Sequence, residues 1–175
     1  MARCQIYLKY PRALCMLALH EHAPTNDNSS GLHAVKIGVM GGTFDPVHLA
    51  HLAVAEQART QLDLDQVLFI PAWLAPHKPG NTRAAARAAH RLAMLRLAVQ
   101  DNPHFAVDEF ELQRQTTSYT VETLRNLRTR VPAGTELFLL IGADNYLIFH
   151  QWCEPEQILA MATPVVYPRD RKSVV

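Results

Sequence analysis

The chain has 175 residues, of which 49% are hydrophobic and 19% charged, as in ordinary globular proteins and unlike disordered, collagenous or coiled-coil ones. Lys and Arg (17) nearly balance Asp and Glu (16), so no overall basic field is available to hold a long nucleic acid. The three cysteines have neither the even number of a disulfide framework nor the spacing of a zinc site, which favours a reducing cytoplasm.

The first 34 residues differ from the rest of the chain. Basic residues precede an apolar run at 13–19 and superficially imitate a secretory signal, but no small-residue cleavage site follows. A linker-like polar stretch occupies 24–31, and no segment approaches the roughly 20 apolar residues that cross a bilayer. We expect residues 1–34 to be a poorly ordered extension and residues 35–175 to form one domain without a membrane partner.

From residue 35 onward, the pattern predicts strands that alternate with helices. The predicted strands are 35–40, 67–70, 105–107, 137–141 and 164–167, and the predicted helices are 49–62, 84–100, 121–130 and 155–161. This alternation predicts an α/β, Rossmann-like open parallel sheet with helices on both faces and ligands at the carboxyl edge of its strands. Arg87, Arg91 and Arg96 on the long second helix are predicted to form a solvated face with no functional role.

The most informative segment runs from Gly41 to His51, where the first strand gives way to the first helix. Gly41 and Gly42 let the backbone turn sharply and approach a ligand, and the helix that starts after Pro46 directs unpaired N–H groups toward it. His48 and His51 are three residues apart and share one helix face, so two imidazoles would meet an anion such as phosphate. The alternative is that one histidine caps or packs while the other is exposed; the glycine turn and helix start favour the anion site.

The segment from Gly41 to His51 resembles the signature of the HxGH-type nucleotidyltransferases, and most closely that of bacterial nicotinate-nucleotide adenylyltransferases. Segments 70–79, 118–123 and 141–144, followed by Trp152, resemble further motifs of that family in the same order. The resemblance implies a cytoplasmic enzyme that transfers the adenylyl group of ATP to nicotinate mononucleotide. The products would be deamido-NAD and pyrophosphate, on the way to NAD.

The resemblance also implies a role for each matching residue. His48 and His51 would be catalytic, with His51 at the α-phosphate of ATP. Mg²⁺ would accompany ATP, with no dedicated metal site in the protein. The implied ATP and phosphate ligands are Gly41, Gly42, Thr43, Phe44, His77, Lys78, Gly142 and Asp144, and the implied nicotinate mononucleotide ligands are Tyr119, Thr120 and Trp152.

Several of these residues also have an ordinary structural explanation. Lys78 could be a solvated loop lysine, Thr120 a helix cap and Trp152 a core aromatic. Asp144 is better explained by function, because the carboxyl ends of strands carry the sites of open α/β sheets.

Two departures from the family pattern stand out. Ala50 occupies the position between the histidines where the family has glycine. The family's last βα unit, with a Ser/Thr-rich, Arg-containing ATP motif, finds no match before Val175. We therefore expect the nucleotidyltransferase domain of residues 35–175 to be incomplete at its C-terminus and to have little activity as it stands.

Two other functions remain open at this stage. A sister nucleotidyltransferase would use the same histidine pair on pantetheine phosphate or a polyol phosphate. A nucleotide-binding fragment without turnover would bind ATP and release no pyrophosphate.

Overall fold

The computed structural model describes residues 34–76 and 86–168 of the chain, so residues 1–33 of the predicted extension lie outside it. The start of the domain at residue 35 stays a prediction. Within the described ranges, each helix is too short or too polar to span a bilayer. The strands are β1 (Lys36–Gly42), β2 (Gln66–Pro71), β3 (Phe105–Val107), β4 (Glu136–Gly142) and β5 (Thr163–Tyr167). The helices are α1 (Leu49–Leu62), α2 (Ala88–Val99), α3 (Phe110–Arg114), α4 (Thr120–Arg130), α5 (Ala143–Tyr146) and α6 (Pro155–Met161). A 3₁₀ turn lies at Phe149–Gln151.

Every strand predicted from the sequence is present, and the predicted helices correspond to α1, α2, α4 and α6. The sequence did not predict α3, α5 or the 3₁₀ turn. Each of these is too short to show a helical period in its apolar residues.

The five strands form one parallel sheet in the order β3-β2-β1-β4-β5. From β1 the chain first builds outward on one side, through β2 and β3, and then returns to add β4 and β5 on the other. The direction of winding therefore reverses between β1 and β4. This arrangement confirms the predicted Rossmann-like fold.

Helices cover both faces of the sheet, each over its own apolar cluster. Side chains of α1 and α2, such as Ala58 and Leu95, pack on one face, and side chains of α4 and α6, such as Leu124 and Ile158, pack on the other. We call these the α1 face and the α4 face. Successive residues of a strand point to opposite faces, so Met40 of β1 belongs to the first cluster and Val39 to the second.

The two central strands separate before they end. β1 pairs with β2 as far as Gly42, but its pairing with β4 stops where Val39 meets Leu139. Beyond that point β1 continues to Gly42 and β4 to Gly142. The carboxyl ends of the two strands therefore flank an opening in the middle of the sheet.

Candidate functional site

A cavity of about 450 Å³ occupies the opening between the carboxyl ends of β1 and β4. Its volume lies within the roughly 300–1,000 Å³ typical of small-molecule sites. Open parallel sheets bind ligands at the point where winding reverses, because the loops that follow the two strands leave toward opposite faces. The fold and the sequence motifs thus indicate the same place for a ligand.

Most of the predicted site residues line this one cavity. His77 and Lys78 lie outside the described residues. Asp144 is partly buried in the first turn of α5 and is not among the described residues that line the cavity, so its contact with a nucleotide stays a prediction. The predicted residues that line the cavity are Gly41, Gly42, Thr43, Phe44, His48, His51, Tyr119, Thr120, Gly142 and Trp152.

The lining residues come from both faces of the sheet. His48 and His51 lie at the start of α1, on the α1 face. Tyr119 lies at the start of α4, and Trp152 packs against the cluster of the α4 face. A ligand that fills the cavity would therefore touch the histidines at one end and the aromatic residues at the other.

The turn after β1 depends on close contact between Gly42 and Phe44. Phe44 has a left-handed backbone (φ 47°) and is almost fully buried. A Cβ atom at Gly42 would lie 3.2 Å from the Phe44 ring, which is tighter than ordinary contact. At Gly41 no atom lies within 4 Å of a Cβ position, so glycine there leaves open space within the cavity wall.

The histidine pair is held by the backbone at the start of α1. The His48 N–H donates to His51 Nδ1 (3.2 Å), and the His51 N–H donates to the His48 carbonyl oxygen (2.9 Å). The two rings lie 3.8 Å apart between centroids, and the Phe44 ring meets His51 edge-on at 5.1 Å. Because Nδ1 of His51 accepts a hydrogen bond, the neutral ring carries its proton on Nε2, where it can be donated to an anion.

Arg91 was predicted to be solvated, and this prediction is wrong. Its side chain is fully buried and donates to the carbonyl oxygens of Thr43 (2.5 Å) and Ala72 (2.8 Å). Burial lowers the pKa of the guanidinium, and the nearby Asp45 carboxylate opposes that shift. One side chain of α2 therefore joins the loop after β1 to the end of β2.

The other two arginines of the predicted face are exposed but ion-paired. Arg87 donates to the Asp45 carboxylate (2.7 Å), within the loop that carries Phe44, and Arg96 donates to Glu109. Exposed pairs of this kind contribute little to stability, typically about 0–1 kcal/mol. Arg87 therefore adds a weaker second tie between α2 and the loop.

At the other end of the cavity, α4 begins with Tyr119 as its N-cap residue, and no side chain caps it. Thr120 is the first helical residue, so the alternative that it caps the helix does not hold. The first N–H groups of an α-helix have no acceptor within the helix. In α4 the Glu122 N–H already donates to the Tyr119 carbonyl oxygen (3.0 Å), so among the described residues the N–H groups of Thr120 and Val121 are those left for a ligand, at the cavity wall formed by Tyr119 and Thr120.

Trp152 both packs and lines the cavity. Its ring lies 5.3 Å from the Phe149 ring, which in turn lies 5.9 Å from that of Tyr146. The core explanation and the ring-platform prediction are therefore compatible. Cys153, which follows Trp152, is exposed and also lines the cavity.

Besides Asp45, which pairs with Arg87, sequence reasoning missed one charged residue that lines the cavity, Glu111 of α3. Its side chain is buried, with 8% exposed, and it accepts a hydrogen bond from Thr123 Oγ1 (2.5 Å). Burial raises the pKa of the Glu111 carboxyl, while hydrogen bonds from Thr123 and Ser118 partly offset the increase. The sequence gives little signal here, because a single Glu between Phe110 and Leu112 suggests only an exposed turn.

A signal for Arg91 was present in the sequence. The buried residues of α2 are Ala88, Arg91, Leu95 and Val99, which form one stripe at helical spacing. An arginine within an apolar stripe is the residue to test for a buried hydrogen-bonding role.

Comparison with known proteins supports the family suggested by the motifs. A family model described as cytidylyltransferase-like matches residues 39–174. A probable nicotinate-nucleotide adenylyltransferase of Exiguobacterium sibiricum is 48% identical over 124 residues, covering 71% of this chain and 64% of that protein. A protein of the same name from Geobacter metallireducens is 44% identical over 135 residues, covering 77% of this chain and 61% of that protein.

The chain spans between 61% and 66% of the length of the curated relatives it matches. Among solved structures, the nicotinic acid mononucleotide adenylyltransferase of Plasmodium falciparum in complex with NaAD has a TM-score of 0.63 and 16% identity. The match covers 81% of this chain and 68% of that one. At this identity the likeness supports the fold.

We predict that Arg91→Met lowers the free energy of unfolding by about 3 kcal/mol or more, because two buried carbonyl oxygens lose their donors. Arg96→Met is the matched control on the same helix and should cost less than about 1 kcal/mol, since that side chain is exposed. Urea unfolding followed by circular dichroism measures both. Equal losses in the two variants would contradict the structural role of Arg91.

We also predict that Glu111→Gln gains stability relative to the wild type as the pH rises. A carboxyl whose pKa is raised by folding is harder to ionise when folded. The wild type therefore loses stability as the pH rises from the unfolded pKa, about 4.3, through the higher folded pKa. Glutamine does not titrate, so urea unfolding at several pH values should show the two stabilities diverging, whereas parallel curves would contradict the prediction.

Proposed function

Because the chain belongs to the cytidylyltransferase-like family, we propose that it transfers the adenylyl group of ATP to nicotinate mononucleotide in NAD biosynthesis. Relatives that cover more than 70% of this chain carry the name of that activity. The observation that carries the proposal is geometric. His48 and His51 line one end of a single cavity, and Tyr119, Thr120 and Trp152 line the other.

In this reaction an oxygen of the mononucleotide phosphate attacks the α-phosphorus of ATP. A new P–O bond forms to the acceptor, the bond between the α-phosphorus and the bridging oxygen breaks, and pyrophosphate leaves with the electron pair. No protein nucleophile is required. The work of the protein is to align the two phosphates and to stabilise the charge that develops between them.

The triphosphate would bind at the end of the cavity formed by the β1 loop and the start of α1. Gly41 leaves space for a close approach of the ligand to the backbone. His51 donates from Nε2 to an oxygen of the α-phosphate, because its Nδ1 is held by the His48 N–H. A donor fixed before the reaction is worth about 2.7–4 kcal/mol in transition-state stabilisation, more than the 0.3–1 kcal/mol typical of a helix terminus.

The mononucleotide would bind at the other end. The N–H groups at the start of α4 would receive the pyridine carboxylate, with help from the positive end of the helix dipole. Trp152 would provide a face for the ring, since it already packs on Phe149 and borders the cavity. The phosphate of the acceptor would then point toward the histidines.

Mg²⁺ would enter as part of the ATP complex. Among the described residues, no group of three or more His, Cys, Asp or Glu side chains could hold a metal ion. Phosphate oxygens and water would supply most of its ligands, since Mg²⁺ bound to a substrate phosphate usually keeps several waters.

The test of this proposal is acceptor preference. The chain alone is expected to have little activity, so the assay uses the chain extended with the C-terminal segment of a relative. In this protein we expect nicotinate mononucleotide to have a higher kcat/KM for pyrophosphate release than nicotinamide mononucleotide, because the start of α4 favours an anion over a neutral amide. Pantetheine phosphate and polyol phosphates, with ATP and CTP as donors, complete the panel. Equal use of acid and amide, or a preference for another acceptor, would contradict the proposal, and ATP binding without pyrophosphate release would indicate a nucleotide-binding protein.

In the same extended, active version of the chain, we predict that His51→Ala lowers turnover by about 10²–10³ while ATP affinity changes much less, because the donor acts mainly on the developing charge. His48→Ala should affect ATP binding more. His90→Ala is the control, since that exposed histidine of α2 does not line the cavity. A change confined to the KM for ATP in His51→Ala would show that His51 binds the ground state only.

A further inference from the structure

The start of α4 rests on a buried carboxyl group. Glu111 accepts a hydrogen bond from Thr123 Oγ1 (2.5 Å), and the nearby Ser118 hydroxyl acts on the same carboxyl group by lowering its pKa. These three residues, which we call the Glu111 cluster, all line the cavity. Ser118 precedes the N-cap Tyr119, and Thr123 lies in the first turn of the helix. The carboxyl group therefore binds the first turn of the helix through Thr123 and lies close to the residue that precedes the N-cap.

The Glu111 cluster also reaches the loop after β2. The Trp73 N–H donates to Ser118 Oγ (3.0 Å), and the Ser118 N–H donates to the Leu74 carbonyl oxygen (2.9 Å). Through Ser118, the start of α4 is thus fixed relative to the strand end that Arg91 also contacts at Ala72. The two ends of the cavity are joined through this loop.

Packing alone does not explain a carboxyl group at this position. Burying it costs free energy, and among the described residues no cation forms an ion pair with Glu111. An apolar residue would fill the space at lower cost but could not accept the hydrogen bond from Thr123 Oγ1. The carboxyl group contributes a hydrogen bond that fixes the position of the helix start.

We propose that Glu111 is a positioning residue for the acceptor substrate, which holds Ser118 and Thr123 so that the N–H groups at the start of α4 face the acid group of the mononucleotide. This inference rests on the proposed function, since it assigns the start of α4 to the acceptor. It adds the residue that sets the position of that binding site.

Three substitutions separate this role from a general effect on folding. Glu111→Ala removes both acceptors, and Thr123→Val removes one donor at nearly constant shape. Glu111→Gln is the conservative variant, because its amide oxygen can still accept the hydrogen bond from Thr123 Oγ1. Glu109→Gln is the matched control, since Glu109 lies two positions earlier and does not line the cavity.

Calorimetric titrations of each variant with nicotinate mononucleotide and, separately, with ATP provide the readout, with thermal unfolding measured alongside. In Glu111→Ala and Thr123→Val we expect the Kd for nicotinate mononucleotide to rise by at least about tenfold, while the Kd for ATP changes less than about twofold. Glu111→Gln should recover most of the affinity, and Glu109→Gln should match the wild type. In the transfer assay, the KM for nicotinate mononucleotide should rise in the same two variants, while the KM for ATP should change little.

The outcomes separate the two proposals. If wild-type protein binds nicotinate mononucleotide and folded Glu111→Ala or Thr123→Val binds it equally well, the positioning role is wrong and the proposed function stands. An equal rise in the Kd for ATP and for nicotinate mononucleotide would show that Glu111 supports the fold and does not position the acceptor substrate. If the wild type binds ATP but no nicotinate mononucleotide, the proposed function fails, and the positioning role fails with it.

Discussion

A single buried guanidinium group holds the strand ends on which the cavity depends. Arg91 reaches from α2 to the carbonyl oxygens of Thr43 and Ala72, and the Ala72 N–H donates in turn to the carbonyl oxygen of Gly42 (2.8 Å). The loop after β1 is thereby fixed against the end of β2. A planar fork of donors suits this position, because two carbonyl groups from different segments must be satisfied at once in a buried place.

The hydrogen bonds of Arg91 also affect the position of the two histidines. The fixed loop holds Phe44 in its left-handed conformation above Gly42, and the Phe44 ring meets His51 edge-on. The backbone of His48 then sets the tautomer of His51. The orientation of the predicted catalytic nitrogen thus follows from a chain of ordinary contacts that begins at an arginine on another helix.

The sequence was informative where function and fold share a local pattern. Glycines after a buried strand, followed by a helix start, predicted an anion site, and the structure places these residues in the cavity wall. Parallel strands bring such loops to one edge whatever their separation along the chain. It was uninformative for Glu111, because α3 is too short to show which of its side chains points inward. For Arg91 the helical stripe of Ala88, Leu95 and Val99 indicated a buried side chain. The prediction of a solvated arginine followed from its charge alone, because arginines are mostly exposed.

The separation of β1 and β4 has a consequence for folding. β1, α1 and β2 are neighbours in sequence and can associate early, whereas pairing of β1 with β4 closes a much longer loop of chain. That late pairing consists of only the segment from Lys36 to Val39 opposite Glu136 to Leu139. We therefore expect the histidine end of the cavity to form with the early unit and the Trp152 end with the later one. The ligand pocket would then be complete only after the two units dock, and we expect a ligand that bridges them to slow unfolding.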